Sequence, residues 1–466
     1  MTESYKRYHI DTAPAPDVIP WPSRFRVRVG RLGLAKLLIK ELYHYRGDLE
    51  LALSRPCVYG VFSGPLGGFM PRERLCVGCL RCTTQHPDFV EVTRNPARRR
   101  LGDSYFTAEF VGAVAYEAAT GNIPVKGAGY RGRFAGDGWD GLWTDMSEIV
   151  RPTRDGIHGR EFISTVVDIG GKPQHLSFDE NGRMIPPAAH VFQLPLPMLF
   201  GPPPPVAASR DLYQLMVRAA AHTGTLAFVP LEMVRSLDLS GNHVAPLVGP
   251  GDESQLTALP VDVRLIVMTD WSKQLFDSLR HRFGEAVIAV QLPFGQPDRL
   301  LALLDSGVRV FWLTADYHGR TADGRFVFDL IREAHLSLVD VGQRDRVTLL
   351  GSGGLVAAEH VPKAIIAGLD AVVLDTPLLV ALQAEFEGEF RSPDDRGCGL
   401  PSELTVEWGV QRLQNLMAAW RDQLLEILGA MGLREVRRLR GEMGRAMLAK
   451  DLEREAFAGI EGYDGH

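Results

Sequence analysis

The sequence predicts an α/β protein centred on a (β/α)8 barrel of the TIM type. Three observations lead there. From about residue 191, short apolar runs alternate with stretches of helical periodicity. The runs are apolar almost throughout, as burial on both faces of a parallel sheet requires. Eight such units fall within roughly 200 residues, which suits a closed barrel better than an open sheet. The strand candidates are LPMLF (196–200), LAFVP (226–230), VAPLV (244–248), RLIVMT (264–269), VIAVQL (287–292), VRVFWL (308–313), VTLLGS (347–352) and AVVLDT (371–376). Helical stretches follow most of them: DLYQLMVRAAAHTG, WSKQLFDSLRHRFG, PDRLLALLDSG, GRFVFDLIREAHLSLVDV, AAEHVPKAIIAG and PLLVALQAEFEG. The second and third units have the weakest helices.

The remaining chain divides around this barrel (191–390). Residues 1–54 form a proline-rich extended arm, to about residue 25, and an amphipathic helix over 31–50. Residues 55–100 hold a cysteine loop and end in Arg98, Arg99 and Arg100, a run expected to be a solvated turn. Residues 101–190 are a glycine-rich, irregular lead-in with strand candidates FISTVVDIG and HLSFD. Arg151, Arg154, Asp155 and His158 in RPTRDGIHGR are loop charges, read as pocket-lining or, more commonly, surface salt-bridge residues. The extension 391–466 is strongly helical from 402 to 460. Its stripe of Leu413, Leu416, Met417, Trp420, Leu424 and Ile427 docks on the barrel or on a partner.

Composition narrows the function. The chain has 466 residues, 45% hydrophobic and 23% charged, ordinary for a soluble globular protein. A formal net charge of −6 gives a nucleic-acid partner no electrostatic support. The N-terminal arm lacks the apolar segment of a secretory signal. No apolar run approaches the ~18 residues of a membrane helix. Five cysteines, three of them clustered, do not read as a disulfide framework and suit a reducing, cytoplasmic setting.

The clustered cysteines carry the sharpest chemistry. Cys76, Cys79 and Cys82 in LCVGCLRCTTQHP have the C-x2-C-x2-C spacing that wraps an iron–sulfur cube from one tight loop. In the bacterial ferredoxin run a fourth Cys, followed by Pro, serves a second cluster. His86 and Pro87 stand at that place here, and no second C-x2-C-x2-C run exists. The segment therefore reads as ferredoxin-like with one [4Fe-4S] cluster, whose fourth thiolate comes from elsewhere. Cys57, nineteen residues upstream, is favoured over Cys398 or His86. A Cys3His zinc site and free buried thiols are the competing readings.

The barrel offers a second site. Flavin-binding barrels seat the phosphate on backbone amides after strands seven and eight. The seventh strand here ends in Ser352, Gly353 and Gly354, and the eighth in Asp375, Thr376 and Pro377. Glycine lets a phosphate approach the backbone. The plainer reading is a strand-to-helix turn that needs glycine, and Asp375 beside a phosphate is repulsive unless it points away.

The chain resembles the FMN-binding glutamate synthases, in particular their archaeal-type, ferredoxin-fused members. The likeness lies in LCVGCLRC, in ATGNIPVKGAGYRGRFAGDGWDGLWTDMSEIVRP, in VTLLGSGGLVAAEHVPKAIIAGLDAVVLDTPLL and in LMAAWRDQLLEILGAMGLREVRRLRGEMGRAM. It implies FMN at Ser352, Gly353, Gly354 and Thr376, fed with electrons by the cluster. The chain also departs from the family. Gln291 stands where the family has a strand-end lysine, leaving an amide to hydrogen-bond the ring. TADYHGRTADG (314–324), with His318, Gly319 and Thr321, replaces a glycine-rich loop. Only Cys398 matches the three cysteines of the family's second cluster, and no glutaminase nucleophile is found. Two expectations follow. One is an iron–sulfur flavoprotein carrying out reductive chemistry. The other is a non-catalytic electron-transfer or scaffold subunit with a degenerate barrel, joined to a redox partner or another copy through its C-terminal helices.

Overall fold

The computed structural model describes residues 8–48, 57–63, 68–124, 138–144, 163–172, 177–185, 190–457 and 459–460. Eight parallel strands close into a barrel in chain order: Met198–Phe200, Ala227–Pro230, Val244–Val248, Leu265–Met268, Val287–Pro293, Val310–Thr314, Thr348–Ser352 and Ala371–Leu374. The eighth pairs with the first through Val372 and Met198, Val373 and Leu199, and Leu374 and Phe200. Strands four, seven and eight are buried at every residue, which explains why they read as unbroken apolar runs. Phe228 of the second strand meets Trp312 of the sixth, ring centroids 4.9 Å apart. These strands lie opposite one another, so the pair fills the lumen.

The outer helices follow the sequence reading, including its weak places. The first helix, Arg210–Thr223, is capped by Ser209, which accepts from the Leu212 amide, and it ends at Gly224 with φ 68°. The second unit has only Leu231–Ser236, and the third a 3-10 turn, Glu253–Ala258. Lys273–Arg282, Pro297–Asp305, Val327–Asp340 and His360–Ala367 serve units four to seven. The eighth helix, Thr376–Ala381, is shorter than its apolar pattern suggests. Gln383, at φ 60°, turns the chain. Glu385–Phe386 then pairs antiparallel with Cys398–Gly399. Gln383 is buried because its amide accepts from Val18 and Ile19 and donates to the Ile19 carbonyl.

The N-terminal arm is thus part of the core rather than a loose extension, with Ile10 and Ala15 both buried. Fully buried Arg412 donates to the carbonyls of Ala15, Ala115 and Ala381 and to Asp17, joining arm, lead-in helix and eighth barrel helix. It belongs to the long helix Val406–Ala430, capped by Thr405. This helix packs against Arg210–Thr223 and Ala108–Thr120. Its stripe, Leu413 to Leu424, is buried there, and only Ile427 is partly covered. The stripe is therefore core and not an assembly surface.

Two expectations are corrected beyond it. The second C-terminal helix begins only at Ala449–Phe457. Before it come 3-10 turns at Val436–Leu439 and Met443–Arg445 and a strand, Ala446–Leu448, paired with Leu142–Thr144. Gly432 and Gly441, at φ 70° and 67°, interrupt the helical pattern, and Val436 and Leu439 are fully buried. Arg98 is not a solvated turn residue. It donates to the carbonyls of Pro22 and Ala108, within a 3-10 turn capped by Asn95. The charges of RPTRDGIHGR lie outside the described residues. No helix among the described residues is long and apolar enough to cross a membrane.

Candidate functional site

The cysteine loop is held by a two-stranded antiparallel ribbon, Phe25–Val29 with Val90–Arg94. Glu73 accepts from the Val27 amide and the Ser23 hydroxyl, anchoring the turn that leads into Cys76. Gly78 sits at φ 70°, and a Cβ there would strike the Phe25 ring at 2.4 Å. Leu80, at φ 59°, completes the reversal before the short helix Arg81–Gln85. The result directs the Gly78 amide at the Cys76 sulfur and the Thr83 amide at the Cys82 sulfur.

Cys57 reaches the same place from a different stretch of chain. Burial pushes the Cys76 thiol up to about 11, and the sulfurs of Cys82, Cys57 and Cys79 add to the effect. Cys82 is raised by burial, then by Cys79 and Cys57. The charges of Cys57 and Cys79 are thus felt at both Cys76 and Cys82, while among the described residues the closest group of potential metal ligands is Asp103, His318 and Glu389. His86 is turned elsewhere: its ring packs on Phe89 at 5.1 Å, and its amide donates to the Cys82 carbonyl. Cys398 is buried in the hairpin beside the barrel mouth, and burial pushes it up to about 11.

The ribbon is linked to the barrel through Arg24, whose Nε lies 3.0 Å from Glu109 on the helix Ala108–Thr120. That helix packs on Thr376–Ala381, the element that begins at Asp375. The cysteine segment therefore leans on the last barrel unit, where the second site lies.

At the mouth, Ser352 is buried and accepts from the Trp312 indole at 3.0 Å. Gln291, half-buried, is the register partner of Trp312. Gly353 and Gly354 have φ of 99° and 70°. A Cβ on Gly353 would meet the Asp316 carbonyl at 2.6 Å, and one on Gly354 would meet Gly319 at the same distance. The Gly354 carbonyl accepts from Tyr105 at 2.6 Å and from the Trp139 indole at 3.0 Å. Thr376 is fully buried. Its amide and hydroxyl both donate to Asp375, at 2.6 and 3.0 Å, and the Gly353 amide donates to the same carboxylate. Burial pushes Asp375 up to about 6, with these donors holding it back. The amides that would take a phosphate therefore form an anion nest, and the anion in it is Asp375 itself.

His318 lies at the same mouth. Its Nε2 is 2.8 Å from Asp103, whose carboxylate also accepts from the amides of Tyr105, Phe106 and Phe390. Tyr105 stacks on His318 at 5.2 Å. The link from Asp103, Tyr105 and Trp139 to the barrel mouth carries no sequence signal, because His318, Gly354 and Phe390 lie 215 to 287 residues away. Replacing Tyr105 with Phe removes one of two donors to the Gly354 carbonyl. The expected loss is about 1 kcal/mol, read from the urea midpoint, because Trp139 still serves the carbonyl.

Residues 323–388, which carry the Gly353–Thr376 nest, match the model for the conserved region in glutamate synthase. The archaeal-type glutamate synthase [NADPH] of Dehalococcoides mccartyi is 24% identical over 434 residues, covering 79% of this chain and 86% of its own. Over most of its length the chain is similar to the archaeal-type glutamate synthases. The archaeal glutamate synthase [NADPH] of Archaeoglobus fulgidus is 23% identical, covering 84% of this chain and 89% of its own. Among solved structures, a lactate oxidase of Pediococcus acidilactici is 13% identical with a TM-score of 0.40, covering 64% of this chain and 86% of its own.

Proposed function

We propose that the protein is an iron–sulfur oxidoreductase of glutamate synthase type, with a [4Fe-4S] cluster on Cys57, Cys76, Cys79 and Cys82 and FMN at the barrel mouth. The carrying observation is the C-x2-C-x2-C loop of Cys76, Cys79 and Cys82, with backbone amides aimed at two of its sulfurs and with Cys57, from a separate segment, near enough for its charge to be felt at Cys76 and Cys82. Amides of this kind stabilise the charge of a thiolate cluster. A Cys3His zinc site would have to use His86, whose ring packs on Phe89 at 5.1 Å. The relatives' names, glutamate synthase [NADPH], support reductive chemistry.

Ser352, Gly353, Gly354 and Thr376 are the residues that would hold the FMN phosphate, and Gln291 would face the ring. The nest fits an anion, as its hold on Asp375 attests. FMN, when bound, supplies one- and two-electron transfer. This chain's part is to hold the phosphate, shape the mouth and keep the cluster next to the eighth unit.

A second reading has its own support. The nest is already filled by Asp375 and the lumen by Phe228 and Trp312. A barrel that has lost its flavin, kept as an electron-transfer or scaffold subunit, would look the same. Purification without oxygen, followed by acid precipitation and assay of flavin, iron and sulfide, separates the two. The flavoenzyme reading expects all three. Iron and sulfide without flavin leave the scaffold reading, and stoichiometric zinc without sulfide sinks both.

A further inference from the structure

At the opposite, N-terminal end of the barrel lies a cavity of about 490 Å³. Its walls come from the loops leading into strands five, six and seven. Lys172, Arg280, Arg309, Arg346 and His190 line it, with the rings of Phe276 and Phe283 at its side, and no Asp or Glu is in the lining. Four permanent cations around one concavity repel each other unless something compensates them.

Little inside the protein does. Arg309 is lowered by burial and then by the nearby Arg346 and Arg280, with Asp305 as a smaller opposing charge. Its side chain donates to the carbonyls of Leu304 and Val308. Arg346 touches the neutral amide of Gln343 at 3.3 Å, and its Nε is buried without a hydrogen-bond partner. Lys172 reaches Asp370 at 3.4 Å, but Asp370 is already shared with Arg344 at 2.8 Å and Arg440 at 2.9 Å. Asp370 is thus divided among three cations, of which Arg440 also pairs with Asp345 at 2.8 Å. A buried Nε without a partner on a half-buried guanidinium is costly, and beside Arg280 and Arg309 in one concavity it suits an anion.

We infer that this cavity binds a phosphate-bearing small molecule of two or more negative charges. The forked guanidinium groups of Arg280, Arg309 and Arg346 suit phosphate oxygens bidentately. The volume is in the range of small-molecule sites and exceeds what a lone phosphate fills, and the flanking Phe rings suit an attached organic group. The site lies at the barrel end away from the Gly353–Thr376 nest, so its ligand is an effector rather than a substrate. It stands independently of the flavin question.

The test is thermal unfolding of the full chain with pyrophosphate, with ATP without magnesium, and with KCl at equal ionic strength. Pyrophosphate or ATP is expected to raise Tm saturably by a few degrees above the KCl control. A response to both assigns recognition to the phosphates, and a response to ATP alone adds the organic group to it. Arg346→Gln and Arg280→Gln, made singly, should each cut the shift at least by half. Without anion, each should leave Tm unchanged or raised, because a repelling charge has gone. No shift beyond KCl overturns the inference. An undiminished shift in both variants does so as well, by placing the anion elsewhere.

Discussion

On the proposed iron–sulfur reading, Cys57→Ser is expected to abolish the cluster. Iron and labile sulfide should fall from about four each per chain to below one, with loss of the broad visible absorbance. Cys76, Cys79 and Cys82 come from one loop, and such a loop presents three corners of a cube. Cys57 is the sulfur from a second segment whose charge is felt at both Cys76 and Cys82. A serine hydroxyl is a poor substitute for a thiolate on iron, and the open corner admits solvent. The control variants carry as much weight. His86→Ala and Cys398→Ser should retain the cluster. The His86 ring is packed on Phe89, and Cys398 is embedded beside the barrel mouth, where it acts on Tyr317. A cluster that survives Cys57→Ser and disappears with His86→Ala would reverse the assignment.

Much of the barrel is legible in the sequence, for a physical reason. A strand buried on both faces must be apolar at nearly every position, so its ends coincide with the ends of the apolar run. VAPLV is a strand from its first residue to its last. The helix of unit two stops at Ser236, just before Asp238 takes φ 48°, and unit three has only a 3-10 turn. What the sequence hides is the work of polar residues with distant partners. Arg412 looks like a surface charge on an amphipathic helix, yet its guanidinium is bound to carbonyls almost 300 and 400 residues away. Arg98 looks like part of a solvated basic run until Pro22 and Ala108 are brought to it. The same holds at the mouth. Glycine after the seventh strand is readable as a nest, and Asp375 as an awkward neighbour. That the carboxylate rests on the nest's own amides depends on how the eighth helix starts, at φ −118° and ψ −93° for Asp375, which no pattern of residue types encodes.

That carboxylate sets the second large effect: Asp375→Asn is expected to raise FMN affinity a hundredfold or more at pH 8. A carboxylate about 4 Å from a phosphate costs on the order of 4 kcal/mol per pair of like charges at the effective dielectric of such a site. The amide keeps an oxygen for the Thr376 amide and carries no charge. In the unaltered protein the same term makes flavin binding depend on pH. Burial holds Asp375 at about 6, above its ordinary value, so the native state takes up a proton that the unfolded chain releases between about pH 4 and 6. Ionised Asp375 therefore destabilises the fold above pH 6, and the penalty fades as pH falls towards 4. Asp375→Asn should accordingly stabilise the flavin-free protein by about 1–3 kcal/mol at pH 8 and by little at pH 4, read from urea midpoints at the two values. Because the FMN phosphate itself titrates at about pH 6, the readout is the ratio of the two proteins' affinities, followed by quenching of flavin fluorescence: the variant's advantage should shrink as pH falls through 6 and Asp375 takes up its proton. If the variant gains the stability but binds flavin no better, the nest holds only its own carboxylate and the scaffold reading stands. If neither changes, the Asp375 carboxylate is not confined as the Gly353 and Thr376 amides place it.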